Sequence, residues 1–156
     1  MAVTAPEARI AANAHLIAKH FAPDRLEDII ASLGSDDSDW AAKELATIAH
    51  FSGGRVEVGL GAGWMAPDYE QAGMDFDAPG VRVSRMEEAI PIIKELLAGK
   101  EVNASGEHYT ITGHTAYPIP ATMPPIMIAG GGPRMLKIAA READISGLNP
   151  ARKSNA

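Results

Sequence analysis

The chain has 156 residues, 46% of them hydrophobic and 22% charged, the balance of one globular domain with a real core. No apolar run approaches the ~20 residues of a membrane helix, and Met1–Glu7 lacks the basic-then-apolar pattern of a secretion signal, so a cytoplasmic protein is expected. Without cysteine there are no disulfides, thiolate catalysis or cysteine-bound zinc, and a net charge of −6 with no Lys/Arg cluster argues against nucleic acid and for a small-molecule ligand.

Glycine divides the chain. Residues 1–52 hold only Gly34, and the rest lie at 53–147. The first third therefore reads as helical. Thr4 and Glu7 make a capping box with Pro6 in the first turn, and Ile10, Ala14, Ile17 and Phe21 follow on one face. After Pro23, the i, i+3, i+4, i+7 spacing of Leu26, Ile29, Ile30 and Leu33 predicts a second helix capped by Gly34. Asp36, Asp37 and Ser38 offer an N-cap for a third, with Ala41, Leu45 and Ile48 inward, ending near Phe51. Residues 1–40 are thus expected as a helical segment, 41–150 as the main domain and 151–156 as a tail.

Arg55–Gly61 is the clearest strand, with Val56, Val58 and Leu60 alternating. Residues 62–81 read as a long loop, of a length usually functional or mobile. Ser84 and Glu87 suggest a capping box opening a helix with Met86, Ala89, Ile90, Ile93, Leu96 and Leu97 inward, and Pro91 should kink it. Val102–Ala104 and His108–Ile111 flank a hairpin turn. Ile126–Ala129 is a short strand, followed by Gly130, Gly131, Gly132 and a helix started by Pro133. Asp144–Leu148 closes the pattern as a strand. Strands alternating with helices imply three main parallel strands with crossover helices, an α/β architecture.

Two strand ends carry glycines. At Gly130–Gly132 the missing Cβ atoms and the helix start favour an approaching anion, with Arg134 adding charge; a tight turn without ligand is the alternative. Gly61, Gly63 and Ala66 match a dinucleotide fingerprint, but that needs a helix opening at the glycines, which a start at Trp64 would supply. A flat ring lying across Gly61 and Gly63 suits the pattern better, with Trp64 either walling it or packing in the core. The histidines show no metal-ligand spacing, His15 and His20 being five apart and off one helical face; His108 and His114 read chiefly as surface residues, with a place near substrate as the alternative, and Asp68, Tyr69 and Glu70 chiefly as solvated loop, with entry into a pocket as theirs. No metal is expected, and no residue is assigned a catalytic role.

Residues 42–48, Ser52–Trp64, Val81–Ala89, Ser105–Tyr109 and Pro124–Pro133, in this order and spacing, resemble the luciferase-like monooxygenase family, and within it the coenzyme F420- or flavin-dependent oxidoreductases. The resemblance covers about residues 41–150. It implies a (β/α)8 barrel, here partial, binding F420 or alternatively FMN, with hydride transfer or monooxygenation on a small organic substrate. By position, Gly61, Ala62, Gly63 and Trp64 would lie beside the cofactor ring. Gly130, Gly131 and Gly132, with Arg134, would meet its phosphate. Such a barrel needs ~250 residues, so the chain reads as a shortened member. Weak cofactor binding without turnover, and self-association through open sheet edges, are the matching expectations. A non-catalytic barrel piece is the alternative.

Overall fold

A computed structural model describes residues 28–32, 38–71 and 75–148. The expected helix over residues 4–21, the Gly34 cap, His15, His20 and the tail lie outside them. The elements in chain order are β1 (Asp28–Ser32), α1 (Ser38–Ser52), β2 (Glu57–Gly61), α2 (Ala66–Gln71), α3 (Pro79–Leu97), β3 (Val102–Ser105), β4 (Thr110–His114), β5 (Ile126–Gly130), α4 (Pro133–Glu142) and β6 (Ile145–Leu148).

Four strands form one parallel sheet in the order β1-β2-β5-β6, and β3 and β4 form a separate antiparallel hairpin. The parallel sheet with crossover helices agrees with the sequence reading, but it has four strands where three are expected. The addition is β1, inside a stretch whose spacing predicts a helix. A short apolar run satisfies either period, and here pairing decides, since Asp28–Ser32 runs in register with Glu57–Gly61. The sheet therefore draws on residues ahead of position 41.

The core lies on one face of this sheet. Val58 pairs with Ile126 and Leu60 with Ile128, and all four side chains are buried. Ala42, Leu45 and Ala46 of α1, the inner face of α3, and Met135, Ile138 and Ala139 of α4 complete the same cluster. Each fully buried Ile or Leu contributes about 1.5–3 kcal/mol. On the other face Glu57 and Ala129 are exposed and Met127 is half-buried.

Helix α3 differs from expectation in where it starts. It begins at Pro79, which takes the favoured first position, so Ser84 and Glu87 lie inside the helix rather than capping it. The expected kink site, Pro91, lies exposed inside this one element, with Met86, Ala89 and Ile90 before it and Ile93, Leu96 and Leu97 after it all buried.

The hairpin is tied to α3 through one carboxylate. Glu88 accepts the main-chain N–H groups of His108 and of Tyr109, the latter at 2.8 Å. A Cβ at position 106 would collide with that carboxylate, which explains Gly106 at the turn. A second staple starts β5: Ile126 N–H donates to Asp144 Oδ2 and Asp144 N–H donates to Ile126 O, both at 2.8 Å.

Candidate active site at the carboxyl ends of β2 and β5

Parallel strands end on one side, so the glycine-bearing ends of β2 and β5 share an edge. They are also adjacent strands. Leu60 is level with Ile128, and a Cβ built on Gly61 would lie 4.0 Å from the Ala129 carbonyl oxygen. The two tips expected from sequence thus stand side by side.

At the β5 tip, Gly130 and Gly132 have different reasons. A Cβ on Gly130 would come within 2.9 Å of Met135 Cβ, so this glycine lets α4 fold back against its strand. Gly132 is the N-cap of α4, with extended backbone (φ −80°, ψ 152°), and a Cβ there would meet nothing within 4 Å. No side chain caps the helix. Space is thus open at the helix start beside exposed Gly131, where the amides of Arg134 and Met135 have no carbonyl one turn back. This arrangement fits an anionic group of a ligand.

Arg134 stands next to that turn, yet its guanidinium is directed at α3. It donates to Glu87 Oε2 at 2.8 Å, Ser84 Oγ at 3.1 Å and the Gly80 carbonyl at 3.4 Å. The Ser84 and Glu87 pair read as a capping box is instead a clip for this arginine. Glu87 also holds Arg141 at 2.8 Å, and Glu142 holds Arg141 and Lys94. The hydrogen bonds from Arg141 and then Arg134 lower the pKa of Glu87; those from Arg141 and then Lys94 lower that of Glu142. The charge expected to face a phosphate is therefore partnered across the α3–α4 seam.

At the β2 tip, Gly61, Ala62 and Gly63 are half-buried, and Gly63 takes a left-handed φ of +74°, which glycine tolerates best. Trp64 is 80% exposed, so it is not the packed core aromatic that was one of its two readings. Leu148, level with Gly130 at the end of β6, is 74% exposed. These two side chains give the carboxyl edge an apolar rim. The helix after the glycines, α2, opens at Ala66 rather than Trp64 and has six residues. The dinucleotide fingerprint thus lacks its helix at the glycines.

The described part of the β2–α3 connection holds more regular structure than a loop reading implies. It contains α2, and Tyr69, read as solvated, is buried with its ring edge-on to Phe76 at 5.0 Å. Glu70 is exposed. Sequence reasoning also missed Arg82, which is 7% exposed and reaches back into this connection. Its Nε donates to Ala62 O at 3.1 Å, its Nη1 to Asp77 O, and its guanidinium stacks 3.8 Å from the Phe76 ring centre. The available signal is an arginine among apolar inner-face positions of α3.

His108 and His114 sit on the hairpin rather than at the glycine tips; both are half-buried, each with an enclosed Nε2 lacking a hydrogen-bond partner among the described residues. Among the described residues no three His, Asp or Glu side chains gather in a metal-binding geometry, and no helix is long and apolar enough to cross a membrane.

Comparison with known proteins agrees with this fold. The model of the luciferase-like monooxygenase family matches residues 40–156. An F420-dependent glucose-6-phosphate dehydrogenase of Amycolatopsis mediterranei is 33% identical over 103 residues, 66% of this chain and 31% of that protein. A 5,10-methylenetetrahydromethanopterin reductase of Archaeoglobus fulgidus is 37% identical over 103 residues, 66% of this chain and 30% of that protein. The matches thus span about a third of these curated relatives. Two solved structures share the fold. One is an F420-dependent secondary alcohol dehydrogenase in complex with an F420-acetone adduct (TM-score 0.68, 23% identity, 80% of this chain and 39% of that one). The other is the EDTA monooxygenase of Chelativorans sp. BNC1 (TM-score 0.73, 19% identity, 81% and 36%). The four parallel strands with their crossover helices are part of a barrel of this type, and the chain belongs to the luciferase-like monooxygenase family.

Proposed function

We propose that the carboxyl edge of β2 and β5 forms one side of a site for coenzyme F420, or alternatively FMN. The observation that carries this is the adjacency of the tips: Gly61 beside Ala129, with uncapped α4 and open space at Gly132 one step further. Gly61, Ala62 and Gly63 leave room for a flat ring, and Trp64 and Leu148 supply its apolar rim. The amides at Gly131 and Gly132, with the first turn of α4, receive the phosphate. When bound, such a cofactor supplies hydride or oxygen-transfer chemistry on a small organic molecule, and the protein contributes position and exclusion of water. The relative named as an F420-dependent glucose-6-phosphate dehydrogenase supports F420 ahead of FMN.

These residues offer one wall of a pocket, so the 156-residue chain should bind F420 weakly and without turnover. Fluorescence titration with F420 and with FMN tests this. Saturable F420 binding that inorganic phosphate competes away is the expected result. No binding of either cofactor overturns the reading, and tight binding with substrate turnover overturns the single-wall account.

A second reading rests on a separate observation. Among the described residues, β1 and β6 each pair on one side only, and unpaired strand edges recruit partners. On this reading the chain is a non-catalytic barrel piece that self-associates. Light scattering showing a compact monomer at high concentration would count against it.

A further inference from the structure

We propose that Arg82 is the positioning residue of the β2 tip, holding the Gly61–Trp64 segment in its ring-facing conformation from the first turn of α3. The proposal rests on the cofactor reading for its purpose, and on the geometry of Arg82 for its substance.

Among the described residues Arg82 is the buried charged side chain, and no carboxylate pairs with it. Such burial is costly unless the charge is met by other groups. Here it is met by two main-chain carbonyls and an aromatic face: Ala62 O on one side, Asp77 O on the other, and the Phe76 ring beneath. The two carbonyls lie near opposite ends of the β2–α3 connection. One planar guanidinium, with donors in a fixed fork, therefore fastens both ends at once. Phe76 carries the restraint to Tyr69 and so to α2. The neighbouring Arg85 reinforces it, its Nη2 lying 2.7 Å from the Asp77 carboxylate. Asp77 thus receives one arginine on its carbonyl and another on its side chain.

This tether meets a specific need. Gly63 has left-handed backbone and many alternatives open to it, so the tip gains little order from its own residues. The carbonyl that Arg82 grips belongs to Ala62, between the two glycines expected under the ring. A tip ordered before the ligand arrives loses less entropy on binding.

The absence of cysteine gives a clean local probe, since Trp64→Cys places a single thiol at an exposed tip position for a nitroxide label. In the chain labelled there, Arg82→Met should shift the spin spectrum toward fast motion. Arg82→Lys, which keeps a charge but loses the fork, should fall between. Ile138→Val, a destabilising change in the core of α4 away from the β2 tip, should leave the spectrum unchanged. With Trp64 intact, Arg82→Met should weaken F420 binding about tenfold and Arg82→Lys should recover part of that loss. Should Arg82→Met fail to fold, Phe76→Leu gives the same test, with a smaller shift in the same direction expected. An unmoved spectrum in the Lys and Leu variants, or an equal shift in Ile138→Val, overturns the proposal. If the unsubstituted chain does not bind F420 while the label still loosens in Arg82→Met, the cofactor reading fails and the tether stands.

Discussion

The two glycine-bearing tips are neighbours in the sheet and are built on opposite plans. The β2 tip leads into a long connection held from outside by a buried arginine and an aromatic pair. The β5 tip passes at once into α4, and its order comes from the close packing of Gly130 on Met135. One tip presents side-chain and ring surface and depends on a tether. The other presents backbone amides and depends on the absence of side chains. A shared composition of glycine therefore hides two distinct sources of rigidity.

Substitutions within the glycine turn sharpen this contrast most. Gly130→Val places a branched side chain 2.9 Å or closer to Met135 Cβ, which cannot swing away. It should cost about 1–3 kcal/mol, read as a lower midpoint in denaturant. Gly132→Val, two residues on, enters open space with a backbone that any residue adopts. It should leave stability within about 0.5 kcal/mol and lower F420 affinity about tenfold by obstructing the phosphate. Equal affinity in this variant would move the phosphate away from the turn.

At the β2 tip, Trp64→Leu should change the unfolding midpoint by less than about 0.5 kcal/mol, because the ring is 80% exposed. Its effect should appear in cofactor titration alone; a large loss of stability would mean that the indole packs where it is now exposed.

The smallest expected effect concerns the α3–α4 seam. Glu87 and Glu142 have lowered pKa values in the fold because arginine and lysine hydrogen-bond their carboxylates. A lowered carboxylate pKa gives stability that is present above the unfolded value and lost as pH falls through the folded value. Urea unfolding from pH 7 to pH 3 should show that decline, shallower in Glu87→Gln, and still shallow because these groups are partly exposed. A slope identical to that of the unsubstituted chain would remove Glu87 from the seam's energetics.

Much of this arrangement is legible in the sequence. The alternation of Val56, Val58 and Leu60, the strand at Ile126–Ala129 and the proline-started helix at Pro133 follow from local periodicity and turn chemistry, and all three are found. β1 escapes notice because five residues with a helical spacing cannot show that a strand is waiting for them. Ser84 and Glu87 mislead because their pattern is local and their partner, Arg134, comes from the next helix. Arg82 is missed for the same reason: nothing nearby in the chain marks it as reaching back to Ala62. The positions of the glycines are local information, while what holds them is tertiary.

The central pairing of the sheet joins β2 to β5 across α2, α3 and the hairpin. A nascent chain leaving the ribosome must therefore present Val58 and Leu60 unpartnered on that side until Ile126 and Ile128 have been synthesised. Delayed pairing of this kind slows maturation and leaves a sticky apolar strand in the cell. Folding yield should accordingly respond more to chaperone supply during translation than to the stability of the finished domain.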